Sequence, residues 1–471
     1  MKSSFVIFCL VLLSGCATYY HLNQDFNRNF EKGDLPQAEK LLTDNKGAAE
    51  GREKFLYFLN RGSVAALLDK PKESNDYLEQ AYSFGEDYQT NYIREIGSLF
   101  TNPNLVTYKG EDHEHLMLLY YKALNYLKLG DTESALVECR RLNDRLDKLS
   151  DKYRSDNRYK KDAFVHTLMG IIYDADKDYN NAFIAYRNAY NIYKSEYVDF
   201  FGVNPPEQLQ DDLLRTAYLN GFLTELEEYE REFKKKYRPS ASEGGELVFF
   251  WNNGLGPIKS EWSVNFSIIK GSGGNVTFVN EEYGLNFPFL LDSDESSGSL
   301  NDLRFFRVAF PKYVEREPLY TAGNLLADGK TYKLELAEDL NKIAFKTLAE
   351  RMHIEMGKSL LRAALKKATE QGMRKENEGL ATILGMVNAA TEKADTRNWQ
   401  TIPHSIYYTR IQLPEGVNEV KLKTKAKGNS EYNQVHDFVF DIRKNQTQFH
   451  AFFSLEMAPQ FVRGQQQAIT P

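Results

Sequence analysis

Residues 164–193 read FVHTLMGIIYDADKDYNNAFIAYRNAYNIY, and the fold follows from how this stretch is divided. Apolar residues recur at helical spacing on both sides of Asp178-Tyr179, which supplies a turn. Gly170 and Ala182 are small where two helices of one hairpin must touch. Tyr173 and Tyr186 are large where space between them must be filled. The stretch is one helix–turn–helix unit, so the next question is whether it repeats.

It does. In Leu116 to Leu142, Ala123, Tyr126, Ala135 and Cys139 hold the same relative positions, with Leu129-Gly130-Asp131 at the turn. A further unit starts near Arg52, with Gly62, Leu78 and Ala81 in register and Asp69 to Pro71 at the turn. Glu31-Lys32-Gly33-Asp34, followed by Ala38 and Leu41, is a half-match, and Leu214 to Phe233 is a degenerate last hairpin. The spacing resembles that of the tetratricopeptide repeat. A stack of such hairpins leaves a concave groove. First-helix positions expected to face a partner there are Tyr120, Leu124, Leu127, Thr167, Ile171 and Asp174.

The pattern changes after residue 237. Lys234-Lys235-Lys236 ends a helix at the negative end of its dipole. Pro239 to Gly245 reads as a linker, which places a boundary at 238–245. From Glu246 the apolar period becomes two. Leu247 to Trp251 is a buried strand, and Trp262, Val264, Phe266 and Ile268 alternate strictly. A helical pair is expected as an insertion over 338–393, its second helix at about Gly379 to Lys393. Strands resume at Ser405, with Lys444-Asn445 as a hairpin turn. The expected fold class is mixed: a helical solenoid of tetratricopeptide type over 16–237, then a β-rich domain over 246–471.

The N-terminus carries its own message. MKSSFVIFCLVLLSGC has one lysine, then an apolar run from Phe5 to Leu13 that is too short to span a bilayer. Leu13-Ser14-Gly15-Cys16 matches a bacterial lipobox. The expectation is a signal peptide over 1–15 and lipidation of Cys16, where several acyl chains give stable anchoring. Ala17 follows the cysteine and no acidic residue comes before Asp25. That favours the outer membrane over inner-membrane retention, and its periplasmic face over the cell surface.

Composition narrows the rest. The chain has 471 residues, a net charge of −7 and three cysteines. Mean hydropathy of −0.54 excludes a polytopic membrane protein. The charge gives no footprint for nucleic acid. Cys9 leaves with the signal peptide and Cys16 takes lipid, so Cys139 stands alone, expected as a buried thiol. Glu111-Asp112-His113-Glu114-His115 offers metal-ligand types, but two histidines two apart diverge on a helix, and an acidic helix N-terminus is the better reading. Asp292 to Ser296 imitates the start of a calcium loop, yet Ser297 stands where glycine is required. No nucleophile motif or phosphate loop is present. The expectation is therefore no enzyme and no cofactor.

Two stretches call for more than packing: Ala135 to Arg141 (ALVECRR) and Ala394 to Trp399 (ADTRNW). Glu138 with Arg141, and Asp395 with Arg397, are expected charge pairs that fix repeat or domain geometry, while Arg140 and Trp399 are of types favoured at interfaces. With Tyr108-Lys109-Gly110-Glu111, ELVFFWNNGLGP over Glu246 to Pro257, and ADTRNWQTIP over Ala394 to Pro403, these motifs resemble a family of Gram-negative envelope lipoproteins of unassigned function. The resemblance spans most of the chain beyond the leader, although Cys139 stands where the family has a small residue. It implies N-terminal tetratricopeptide repeats, a C-terminal mixed domain and partners among secretion or cell-wall synthesis machinery. Expected partners are thus the membrane, through the N-terminal lipid, and a protein held by the groove. Two alternatives are a peptidoglycan-binding or glycan-modifying lipoprotein, which needs paired carboxylates in a cleft, and a ring subunit of an envelope machine.

Overall fold

The computed structural model describes residues 23–89, 106–152, 161–239, 244–271, 275–290, 305–376 and 394–458. Cys16 with the leader, the helix expected at 379–393 and the Asp292 loop lie outside the described residues.

The first half consists of helix hairpins. α1 (23–31) and α2 (Leu35–Asp44) form the first, α3 (Lys54–Leu67) and α4 (Pro71–Gln89) the second, and α5 (Asp112–Leu129) and α6 (Thr132–Lys152) the third. α7 (Ala163–Ala175) with α8 (Tyr179–Ile192), and α9 (Glu207–Asn220) with α10 (Leu223–Phe233), complete the series. Each hairpin packs on the next. The turns follow from local chemistry. Asp34 and Asp178 cap their helices by accepting from the backbone N–H of Gln37 and Asn181. The small residues act as expected: a Cβ on Gly170 would lie 2.4 Å from the Tyr186 ring, and one on Gly62 would lie 2.5 Å from Leu78.

Among the described residues, the second half holds three four-stranded sheets. β12 (Thr447–Ser454), β1 (Gly245–Asn253), β9 (Ser405–Leu413) and β8 (Glu335–Asp339) form the first, in that order. The second runs β11 (Gln434–Ile442), β10 (Gly416–Ala426), β6 (Tyr320–Ala327), β7 (Lys330–Lys333). The third runs β4 (Leu285–Leu290), β3 (Asn275–Asn280), β2 (Ile258–Lys270), β5 (Phe305–Val314). The mixed α/β class is thus observed, with mostly antiparallel strands.

The first sheet is covered on both faces, which explains the unbroken apolar run in β1. Val248 and Phe250 join the core of the helical half, while Leu247, Phe249 and Trp251 join a core shared with the second sheet. The helical core therefore runs without a break into Trp399, Ile402, Ile406 and Tyr408. The third sheet instead packs its Val264–Phe266–Phe278–Phe310 face on Met356 and Leu360 of α11 (Leu340–Glu376).

Two boundaries and one connection differ from expectation. β1 opens at Gly245, inside the expected linker, because Gly244 and Gly245 already lie against the backbones of Leu413 and Arg443. Glu338 and Asp339 belong to β8, and the insertion's first helix starts at Leu340, where the Asp339 carboxylate accepts from the Lys342 N–H at 2.9 Å. Lys444-Asn445 is not a hairpin turn. The strands it joins lie in different sheets: β11 pairs with β10, whereas β12 pairs in parallel with β1.

Candidate functional site

The six residues expected to line an open groove are all buried. Tyr120 donates its hydroxyl to Asn252 of β1 at 3.0 Å, and its ring meets Phe164, which in turn meets Phe250. Thr167 and Ile171 are fully covered, and Asp174 forms ion pairs with Arg410 of β9. The chain's own first sheet fills the face that a partner was expected to occupy, because its strands carry apolar residues on both sides. Leu124 and Leu127 differ from the other four in that they also border an open cleft.

Two buried polar networks hold the halves together. The first centres on Arg410, whose guanidinium reaches Asp174 at 3.0 Å and Asp212 at 3.1 Å, pairs with Glu246, and donates to the Tyr186 hydroxyl at 2.9 Å. Arg215 pairs with the same two aspartates. Burial raises Asp212 to about 6 against the pull of the two guanidiniums. Burial also opposes ionisation of Asp174 and Glu246, but there Arg410 and Arg215 win and both carboxyls fall below their usual values. The sequence alone gives no role to Arg410, Arg215 or Asp212, and marks Glu246 only as the first residue of the ELVFFWNNGLGP motif. One signal was available: Ile406, Tyr408 and Arg410 share a strand face, and a cation in an apolar row needs buried anions.

The second network joins the acidic start of α5 to the Ala394–Trp399 stretch. Glu111 and Glu114 form a reciprocal capping box. Glu114 also accepts from the Tyr108 hydroxyl at 2.7 Å and from the Trp399 N–H at 2.6 Å. Glu111 pairs with Lys259 at 2.5 Å and with Arg351. Arg397 forks onto Asp395 at 2.7 and 2.9 Å, reaches Glu53 at 3.0 Å and the Val106 carbonyl at 2.9 Å, and lies over the Tyr108 ring. Burial acts to raise Asp395, but the Arg397 fork overcomes it and lowers the carboxyl. Trp399 is fully buried and donates its indole N–H to Ser63 at 3.0 Å.

Within the helical half, Glu138 pairs with Lys122 at 2.8 Å and with Arg141 at 3.3 Å, Arg141 also reaches Glu79 of the preceding hairpin at 3.2 Å, and Arg140 donates to Tyr173 at 3.2 Å. These side chains bind hairpin to hairpin. His113 points into the interior, where burial pushes its imidazole down to about 3. Among the described residues, no group of three His, Cys, Asp or Glu side chains is placed to hold a metal.

Glu114 gives a pH prediction. Burial raises its carboxyl to about 7, against the hydrogen bonds from Trp399 and Tyr108. The folded state holds this proton more tightly than the unfolded state does. The resulting stability is therefore complete below the unfolded value of 4.5 and lost as pH rises through about 7. Urea unfolding at about pH 5 and about pH 8 should show a fall that shrinks by on the order of 3 kcal/mol in Glu114→Gln. An equal fall in the variant would rule out Glu114 as its source.

Cys139 of α6 is buried, and burial pushes its thiol well up. Ellman's reagent should leave it unmodified in native protein and react once denaturant is added. Fast labelling without denaturant would contradict this placement.

A cleft of about 570 Å³ lies between the helical half and β12. Leu35, Leu67, Leu124 and Leu127 line it from the helices, and Phe449, Ala451 and Phe453 from β12, with Phe250 of β1, while Glu31, Lys32, Asn125, Lys128, His436, His450 and Glu456 add polar and charged groups.

No protein-family model matches the chain, and no curated protein does. Solved structures with some likeness include the apo form of RapI, at a TM-score of 0.33 and 16% identity over 45% of this chain and 68% of that one. BtubC from P. vanneervenii gives 0.33 and 13% over 48% and 86%. A Podosopora anserina kinesin light chain with nearly identical TPR-like repeats gives 0.29 and 14% over 46% and 92%.

Proposed function

We propose that the protein is a lipid-anchored scaffold on the periplasmic face of the outer membrane that binds a protein partner in envelope assembly, secretion or cell-wall synthesis. The anchor rests on the sequence alone, on Leu13 to Cys16 after an apolar leader. Among the described residues, no helix is long and apolar enough to cross a membrane. The partner reading is carried by one observation: two halves locked by buried charges leave a cleft between them, with leucine and phenylalanine on facing walls and bordered by Leu124 and Leu127. The binding surface is thus the mouth of the groove, since the chain's own sheet covers the groove floor.

Both parts are testable. Palmitate labelling should mark the wild type and be lost in Cys16→Ser. A protein crosslinked in native membranes should co-purify with wild type and be lost in Leu35→Glu, which places a charge in the cleft wall while circular dichroism stays unchanged. Equal recovery with both forms would place the binding surface elsewhere. The glycan-modifying alternative gains no support, because Asp395 is held by Arg397.

A further inference from the structure

Among the described residues the three sheets end in six edge strands, and five of them carry features that discourage pairing with another chain. β7 is four residues long with Lys330 and Lys333 at its ends. β8 is short and carries Glu335, Glu338 and Asp339. β4 contains Pro288, β5 contains Pro311 followed by Lys312, and β11 carries Asp437 and Asp441. β12 reads TQFHAFFS, with no proline and no Lys, Arg, Asp or Glu.

Its open side can be assigned from the ladder. The Glu246 N–H donates to the Gln446 carbonyl and the Gly254 N–H to the Ser454 carbonyl. In a parallel pair, alternate residues face the neighbour. Residues 446, 448, 450, 452 and 454 therefore face β1, and the backbone groups of Thr447, Phe449, Ala451 and Phe453 face away. Among the described residues no strand pairs with that side. Phe449, Ala451 and Phe453 also line the cleft, whose apolar wall continues into the interface between the two halves through Tyr121 and Phe250.

We infer that β12 is a docking edge: an extended peptide segment of a partner protein, apolar at alternate positions, adds to it as a further strand inside the cleft. This rests on the scaffold reading and specifies its binding mode. The edge from Thr447 to Phe453 spans roughly 20 Å at about 3.3 Å per residue, the length of a segment of about six residues. Backbone pairing supplies affinity, and the alternate apolar side chains enter the cleft. An acyl chain or other apolar ligand would fill the same volume but leave the edge amides without partners, which is costly once water is displaced. The chemistry of the edge therefore selects a polypeptide.

The test uses the full-length protein and a capped, lysine-ended peptide of alternating valine and threonine as probe. Its binding is followed by fluorescence anisotropy. Saturable binding is expected. Methylating alternate backbone nitrogens of the probe should weaken it at least about tenfold, since each lost hydrogen bond is worth about one decade. Ala451→Pro removes one edge donor without touching the ladder to β1, because proline is tolerated where its nitrogen faces away from a neighbour. It should weaken the unmethylated probe by a similar factor. Should this variant fail to fold, the methylated probe on wild type still decides. Equal binding of both probes, or no saturable binding, overturns strand addition. If a membrane partner is nevertheless lost in Leu35→Glu, the scaffold reading survives that result. Displacement of the probe by dodecanoate with no effect of methylation would mark the cleft as a site for apolar ligands and would equally overturn the inference.

Discussion

Replacing Arg410 by methionine should destabilise the protein by about 3–5 kcal/mol, the usual loss when one partner of a buried ionic group is removed. The guanidinium is almost fully covered and serves Asp174, Asp212, Glu246 and the Tyr186 hydroxyl. Without it, three carboxylates are left with Arg215. One of them can yield. Asp212 is already raised to about 6 by burial, and losing a cation raises it further. Protonation then relieves the cluster, so the loss should be smaller at about pH 5 than at about pH 8. Because Asp174 and Asp212 lie on α7 and α9 while Glu246 and Arg410 lie on β1 and β9, the cluster also couples the halves. The variant should broaden or split the urea transition. A loss below about 1 kcal/mol with an unchanged single transition would show that the cluster is solvated and does not couple the halves.

The helix hairpins were legible because their packing rule is local. A small residue at Gly62 or Gly170 and a large one at Leu78 or Tyr186 occur at fixed spacing, and the structure brings each pair into contact. The strands were legible through their period. The relation between the halves was not. Tyr120, Ile171 and Thr167 look alike in sequence whether they face a partner, a neighbouring hairpin or the chain's own sheet, because burial does not record what covers it. The run Leu247 to Trp251 held the missing information: a strand apolar on both faces needs two covers, and only one can be a second sheet when helices fill the other. The connection at Lys444-Asn445 has the same origin. A turn residue with positive φ is a local fact, shown by Asn445 at 56°, but whether the strands it joins pair together depends on the long-range parallel ladder of β12 with β1. The Glu111 to His115 cluster is legible as a helix start, but its role as acceptor for the Trp399 backbone is not, since Glu114 and Trp399 lie 285 positions apart.

Trp399→Ala should cost about 3–5 kcal/mol, as expected for truncating a fully buried large aromatic. The indole lies 5.5 Å from the Tyr121 ring and donates to Ser63, so it fills space between α3 and α5. Its neighbours bind the stretch by other means. The Arg397 fork holds one side, and the Asn398 side chain donates to the Pro257 carbonyl and accepts from the Lys259 N–H. The stretch is therefore clamped by charges, and Trp399 is the apolar plug between the clamps. Trp399→Phe separates the two contributions. It keeps most of the buried area and loses the bond to Ser63, leaving that hydroxyl with its other contacts to the Leu59 carbonyl and Thr401. The expected loss is about 1–2 kcal/mol, the scale of one buried hydrogen bond with a small cavity. Denaturant unfolding followed by circular dichroism measures both variants. If phenylalanine proves as damaging as alanine, the hydrogen bond to Ser63 rather than packing governs this junction. If both are neutral, the charged clamps alone hold the stretch against the helices.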